Sequence, residues 1–271
     1  MITLTDKEFD TLVKFVYDKY GINLAKKRVL IEGRLSNTLI DKGFTQFSEY
    51  MDYLFNDKTG TEITNFLNKI TTNHTYFLRE YEHFDYMTKK VLPFLEEKYK
   101  NQRVLRIWSA GCSSGQEPYT MAMAIDEYFG AKKSQWDTTI LASDISMRAL
   151  SKAQSGVYTK EEIKDVPANW ISKYFIDKKD GTYEVCPKIK KEVVFRTVNL
   201  MEPFNFKKPF DLIFCRNVMI YFDAPTKDKL INKFYDATTK DGYLFIGHSE
   251  VINKATTKYT YLKPAIYQRR S

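Results

Sequence analysis

A strand, a glycine turn and a helix in immediate succession constrain this chain more than any other feature. The segment from Val104 to Phe129 reads VLRIWSAGCSSGQEPYTMAMAIDEYF. Val104, Leu105, Ile107 and Trp108 form the short apolar run that a buried strand needs. Ser109-Ala110-Gly111, Cys112-Ser113-Ser114 and Gly115 interrupt it. Glu117-Pro118 then opens a segment with Tyr119, Ala122, Ile125 and Phe129 on or near one helical face. Pro118 suits a first helical turn, where its missing N–H is not needed. Open α/β sheets use this succession to bring a ligand against their strand ends.

The glycine pattern is neither G-x-G-x-x-G nor a phosphate loop, because no lysine follows Gly115. Glu117 at the helix mouth would repel a phosphate and attract an amino group or hydroxyls. A nucleoside with a cationic or zwitterionic end fits, and S-adenosylmethionine is such a ligand. A turn that needs glycine only for steric reasons fits these residues equally well.

The rest of the second half raises the ligand reading. Thr138–Ala142 is the next expected strand, ending at Ser143-Asp144, with Asp144 29 positions beyond Gly115. Nucleotide-binding α/β folds hold ribose hydroxyls with an acid at that place. Val193–Val198, Phe210–Cys215 and Gly242–Gly247 are further strands, each followed by polar residues: Asn199-Leu200, Arg216-Asn217 and His248-Ser249-Glu250. The stretch 156–192 breaks the pattern. Asp180-Gly181 between two β-prone runs predicts a hairpin in a small inserted β-subdomain.

Ahead of this lie four expected amphipathic helices forming a small all-α domain. Thr5-Asp6-Lys7-Glu8 and Thr59-Gly60-Thr61-Glu62 have capping-box form. The second helix, expected from Lys26 to Gly43, carries Lys26, Lys27, Arg28 and Arg34, either a solvated face or a docking surface for an acidic helical partner. Asn73 and Thr75 in the following junction can bond a ligand's polar edges. Arg79 can clamp a carboxylate, or instead pair with Glu80 or Glu82. The three cysteines and three histidines show neither disulfide nor metal spacing, and a reducing cytoplasm is the expected setting. A net charge of +8 favours an acidic partner, but no basic tract with interleaved aromatics points to nucleic acid. No stretch has the apolar length of a membrane span.

TTNHTYFLRE (71–80), WSAGCSSGQEPYT (108–120), ASDI (142–145) and CRNVMIYF (215–222), in that order, resemble the CheR family of chemotaxis receptor glutamate O-methyltransferases. The resemblance implies an α/β, Rossmann-like S-adenosylmethionine-dependent methyltransferase sheet, with an N-terminal all-α domain and an inserted β-subdomain. The implied division is 1–72 for receptor docking, 73–90 as a linker contributing to the cofactor site, and 91–271 for methyl transfer. It assigns cofactor contacts to Asn73, Thr75, Arg79, Glu117, Asp144, Asn199, Leu200, Arg216 and Asn217. Arg79 and Tyr221 would border the reacting carboxylate, and Lys26, Lys27, Arg28 and Arg34 would dock the receptor's cytoplasmic helical bundle. Gln116 departs from the family's usual acid. The turn Lys178–Thr182 is shorter and poorer in glycine than in members that grip a C-terminal pentapeptide tether, so tether-independent binding is expected. The alternatives are a methyltransferase of the same fold acting on RNA or a small molecule, and a non-catalytic cofactor-binding module.

Overall fold

The computed structural model describes residues 2–71 and 74–270. Helices α1 (Asp6–Tyr20), α2 (Arg28–Asp41), α3 (Phe47–Phe55) and α4 (Thr61–Ile70) come first, packed around Leu12, Val16, Ile31, Leu35, Phe47 and Phe66. The capping box expected at α1 is present: the Glu8 amide donates to the Thr5 hydroxyl, and the Glu8 carboxylate accepts from the Thr5 amide at 2.7 Å. Gly21 ends α1 in a left-handed conformation, where a Cβ would also meet Met201 Sδ at 2.4 Å.

Two expectations here need correction. Helix α2 begins at Arg28 and ends at Asp41, so Lys26 and Lys27 lie in the turn before it. Helix α4 has no Thr59–Glu62 box. Gly60, left-handed at φ 71, is its N-cap, and Asp57 receives the Glu62 amide at 2.6 Å. The Glu62 carboxylate is buried and instead accepts from the Tyr50 hydroxyl and Lys42 Nζ, both at 3.0 Å.

Helix α5 (Tyr81–Tyr86) widens into a π-helical turn, Met87–Val91, before α6 (Leu92–Lys98). Pro93 cannot donate to the carbonyl four residues back, which favours such a turn. The α/β part then runs β1 (Ile107–Ala110), α7 (Gln116–Phe129), β2 (Ile140–Asp144), α8 (Met147–Ser155), β3 (Val157–Thr159), α9 (Ala168–Tyr174), β4 (Phe175–Asp177) and β5 (Thr182–Val185). It continues with α10 (Pro187–Lys190), β6 (Val193–Thr197), β7 (Phe210–Cys215), α11 (Ala224–Ala237), β8 (Thr238–Ile246), β9 (Thr260–Lys263) and β10 (Ile266–Gln268).

Strand β1 sits three residues later than its apolar run suggests. Val104 makes only a single bridge, to Asp137. Strand β8 starts earlier than expected, and the antiparallel hairpin of β9 and β10 was not expected at all. The large sheet has the order β6-β2-β1-β7-β8-β10-β9; its first five strands are parallel and β10 is antiparallel to both neighbours. Strands β3, β5 and β4 form a separate antiparallel sheet in the inserted region. Trp108 anchors one face of the large sheet: fully buried, it meets Phe204, Phe206, Phe210 and Phe234, and its indole N–H donates to Ser143 Oγ at 2.9 Å.

From β1 the chain builds outward through β2 and β6, then crosses back to start β7 on β1's other side. Where strand order reverses like this, the crevice beyond the carboxyl ends is left uncovered by connecting helices.

Candidate functional site

A cavity of about 370 Å³ occupies that crevice, within the usual range for a small-molecule site. Its floor is the loops that follow β1, β2, β6 and β7. Tyr20, Ile22 and Leu67 of the helical part close its far side.

The loop after β1 is stitched to the end of β2. The Gly111 and Cys112 amides donate to the Ser143 carbonyl at 2.7 and 2.9 Å, and the Ser113 amide donates to Asp144 Oδ2 at 2.8 Å. The Ser146 amide holds Oδ1 at 2.8 Å. Burial pushes the Asp144 carboxyl above its ordinary range, and these backbone N–H groups oppose the shift. A carboxylate has about four acceptor positions, so Asp144 keeps capacity for a ligand's hydroxyls. Gly111 (φ 83) and Gly115 (φ 95) both adopt left-handed backbone, and at each a Cβ would strike a neighbour, Val218 Cγ2 at 2.3 Å and Ala153 Cβ at 2.8 Å. The steric and ligand readings of these glycines are therefore compatible.

Glu117 accepts from the Ser109 hydroxyl at 2.7 Å, and its other oxygen lies 3.4 Å from Arg216 Nη1. Burial raises its proton affinity, and the Arg216 guanidinium pulls the other way. The Arg216 side chain is only 2% exposed and spans two acids, with Glu80 Oε2 at 3.2 Å on its other side. It also packs over the rings of Phe84 and Phe214.

Of the residues expected at the site, Thr75, Arg79, Glu117, Asp144, Asn199, Leu200, Arg216, Asn217 and Tyr221 all line this one cavity. Asn73 lies outside the described residues. Arg79 pairs with neither Glu80 nor Glu82; its guanidinium donates to the His74 carbonyl at 2.6 Å beside the Tyr76 ring. The Asn199 amide donates to the Lys19 carbonyl and its oxygen accepts from the Met201 amide, both at 2.9 Å, so this side chain ties α1 to the sheet. The Asn23 amide donates to the Tyr221 carbonyl at 2.9 Å, a second such tie. Gln116 is buried outside the lining, its oxygen accepting from the Ser114 hydroxyl at 2.8 Å.

The basic residues near α2 do not cluster at the cavity. Arg28 reaches Asp6 at 2.7 Å and the Leu4 carbonyl at 3.2 Å. Arg34 donates to the Lys69 carbonyl at 2.7 Å, capping the end of α4, while Lys26 and Lys27 are exposed.

Two acids absent from the sequence-derived set organise the site. Glu250, 5% exposed, accepts from the amides of Gly247 (2.7 Å), Asn217 (3.0 Å) and Met219 (2.6 Å), fixing the loop after β7. Its position three residues after Gly247 was the one local signal. Glu80 bonds across 136 and more positions, which no local pattern reveals.

A mostly parallel sheet with a topological switch, a glycine turn after β1, an acid ending β2 and a Glu117–Arg216 pair define a Rossmann-like nucleoside-binding protein of the methyltransferase class. Residues 7–71 match the all-alpha domain of CheR methyltransferases and residues 73–267 match their SAM-binding domain. This chain belongs to the CheR methyltransferase family. Its cofactor is S-adenosylmethionine, and the donor set fits: acceptors at Asp144, and a Glu117–Arg216 pair suited to a zwitterion. The chain is 46% identical to a chemotaxis protein methyltransferase of Borreliella burgdorferi (99% of this chain, 96% of that one). It is 34% identical to that of Escherichia coli (98% and 92%), and 32% identical to chemotaxis protein methyltransferase 1 of Pseudomonas aeruginosa (99% and 99%).

Proposed function

We propose that this protein transfers methyl groups to glutamate side chains on the cytoplasmic helical bundle of chemotaxis receptors, giving glutamate methyl esters for sensory adaptation. The observation that carries this reading is Arg79, a cation lining the same cavity as Asp144, Glu117 and Arg216. When bound, S-adenosylmethionine supplies an electrophilic methyl group, and the products are the ester and S-adenosylhomocysteine.

In this proposal Asp144 accepts from the ribose hydroxyls, and Arg216 with Glu117 receives the amino-acid end. Thr75, Asn199, Leu200 and Asn217 complete the cofactor's walls, with Asn73 assigned by resemblance alone. Arg79 orients the incoming carboxylate and Tyr221 borders it. A glutamate is ionised near neutral pH (ordinary pKa about 4.3), so no general base is required. The residues have only to align the carboxylate oxygen with the methyl group and keep water from it.

Residues 1–72 serve as the docking unit, 73–90 as the linker and 91–271 as the transfer domain, with 156–192 as its inserted subdomain. Lys26 and Lys27 are the docking contacts best placed, since Arg28 and Arg34 already serve Asp6 and backbone carbonyls. The short Lys178–Thr182 turn supports binding without a pentapeptide tether. On this reading the reaction takes place in the cytoplasm and involves no nucleic acid. Among the described residues no helix is long and apolar enough to cross a membrane.

The test is methyl transfer from radiolabelled S-adenosylmethionine to receptor-containing membranes, followed by mild alkali. Label released as volatile methanol supports a carboxyl ester. Alkali-stable label, or none, refutes it.

A further inference from the structure

We infer that Glu80 is a positioning residue for methyl transfer, a carboxylate that locks Arg79 to the cofactor floor. This rests on the reading of the site given above and deepens it.

Four N–H donors converge on Glu80. Arg216 approaches Oε2 through Nε at 3.3 Å and Nη2 at 3.2 Å. Asn217 Nδ2 and the His248 amide approach Oε1 at 3.3 and 3.1 Å. These donors come from the loops after β7 and β8, so one carboxylate ties together three separate segments. Arg216 Nη2 also donates to the carbonyl of Arg79 itself. The clamp therefore holds the Arg79 carbonyl and the Glu80 carboxylate through one guanidinium.

That backbone is unusual. Leu78 and Glu80 both adopt left-handed conformations, at φ 60 and φ 55, with only Arg79 between them. Non-glycine residues persist there when their surroundings over-determine them, and such strain gathers at functional sites. Here the over-determination is the Glu80 carboxylate, and Arg79 is the residue it presents to the cavity.

A cation is a poor alternative occupant. The ligand-type atoms of Glu80, His83 and His248 lie within 4.8 Å of one another, yet both Glu80 oxygens already face N–H donors, one of them the buried Arg216. The cluster is organised around a carboxylate.

Because Arg216, Asn217 and the His248 amide all present N–H groups to the two oxygens, Glu80→Gln keeps the shape and still turns an –NH2 group toward at least one N–H. In the full-length protein with receptor membranes and saturating S-adenosylmethionine, E80Q is expected to lower kcat by about 100-fold, the scale of a 1 Å misplacement. Glu80→Ala opens room for a small carboxylate, so added acetate should restore a measurable part of its rate where equal chloride does not. E80Q with wild-type kcat overturns the assignment. So does E80A that loses activity only in step with its melting temperature and ignores acetate, since that is a structural role alone. Wild-type protein that forms no alkali-labile ester defeats the proposed function instead. In that event Glu80 is judged by S-adenosylhomocysteine affinity, with unchanged affinity in E80Q overturning the clamp.

Discussion

Gly111→Ala isolates the packing that shapes the cofactor cavity. Two costs add at this position. At φ 83 an alanine backbone is strained, by about 1–2 kcal/mol. Its Cβ would also lie 2.3 Å from Val218 Cγ2, and forced overpacking costs about 1–3 kcal/mol. The total is about 2–5 kcal/mol. The two parts separate in a Val218→Ala background, because the nearest atom to the alanine Cβ at 111 would then be the Cβ of residue 218, at an ordinary contact of 3.6 Å. The double-mutant cycle should return about 1–3 kcal/mol of favourable coupling, leaving the backbone part. Urea unfolding, with m-values compared to confirm a shared transition, reads the stability term. Val218 follows Arg216 and Asn217, so G111A should also weaken S-adenosylhomocysteine binding at least tenfold, measured by calorimetry, with partial recovery in the double variant. A cost for G111A that is the same in both backgrounds refutes the clash. A cost below about 1 kcal/mol refutes both parts.

Arg79→Ala should lower the methyl-transfer rate while leaving S-adenosylhomocysteine affinity within a few-fold, and Asp144→Ala should do the reverse; equal cofactor affinity in D144A counts against the ribose assignment. His83 is 1% exposed, and burial drives its pKa from 6.5 down to about 2. The unfolded chain therefore binds a proton below pH 6.5 that the folded one refuses, and stability falls as pH drops. Between pH 6.5 and 5.0 the loss from this group is about 1.5–2 kcal/mol. Urea titrations should show that extra loss in the wild type and not in His83→Phe, which keeps a ring edge-on to the stacked Phe214 and Phe245. Gly33 lies exposed inside α2 without a positive φ, and a methyl group there would meet no atom of another part of the chain within 4 Å. Gly33→Ala should therefore stabilise by about 1 kcal/mol in the same assay.

What could be read from the sequence was the chemistry carried by near neighbours. The Thr5–Glu8 box is local, and so is the nearly continuous apolar run of β7, whose six residues, Asp211 among them, are all buried. The run before the glycine turn misled by three residues because apolarity marks burial rather than pairing: Leu105 is 1% exposed yet lies outside the ladder of β1. At α4 the Thr–x–x–Glu spacing was present, but Gly60 takes a left-handed turn that hands the cap to Asp57. The same division runs through the site. Glu117 and Asp144 were legible because they sit at fixed places relative to a turn and a strand end. Glu80 was not, because the N–H groups that hold it, from Arg216, Asn217 and His248, lie more than 130 residues away, and Arg34 looked available until α4 placed carbonyls beside it.

The wall contributed by Tyr20, Ile22 and Leu67, with the Asn199–Lys19 and Asn23–Tyr221 bonds, makes the helical domain part of the pocket's enclosure. The two halves are thus not separable modules, one for addressing and one for chemistry. Cutting the chain after α4 would leave the cofactor a site open on one side. Linkage then works in both directions: a partner that steadies the helices against this face must tighten cofactor binding by the same factor as the cofactor tightens the partner's hold.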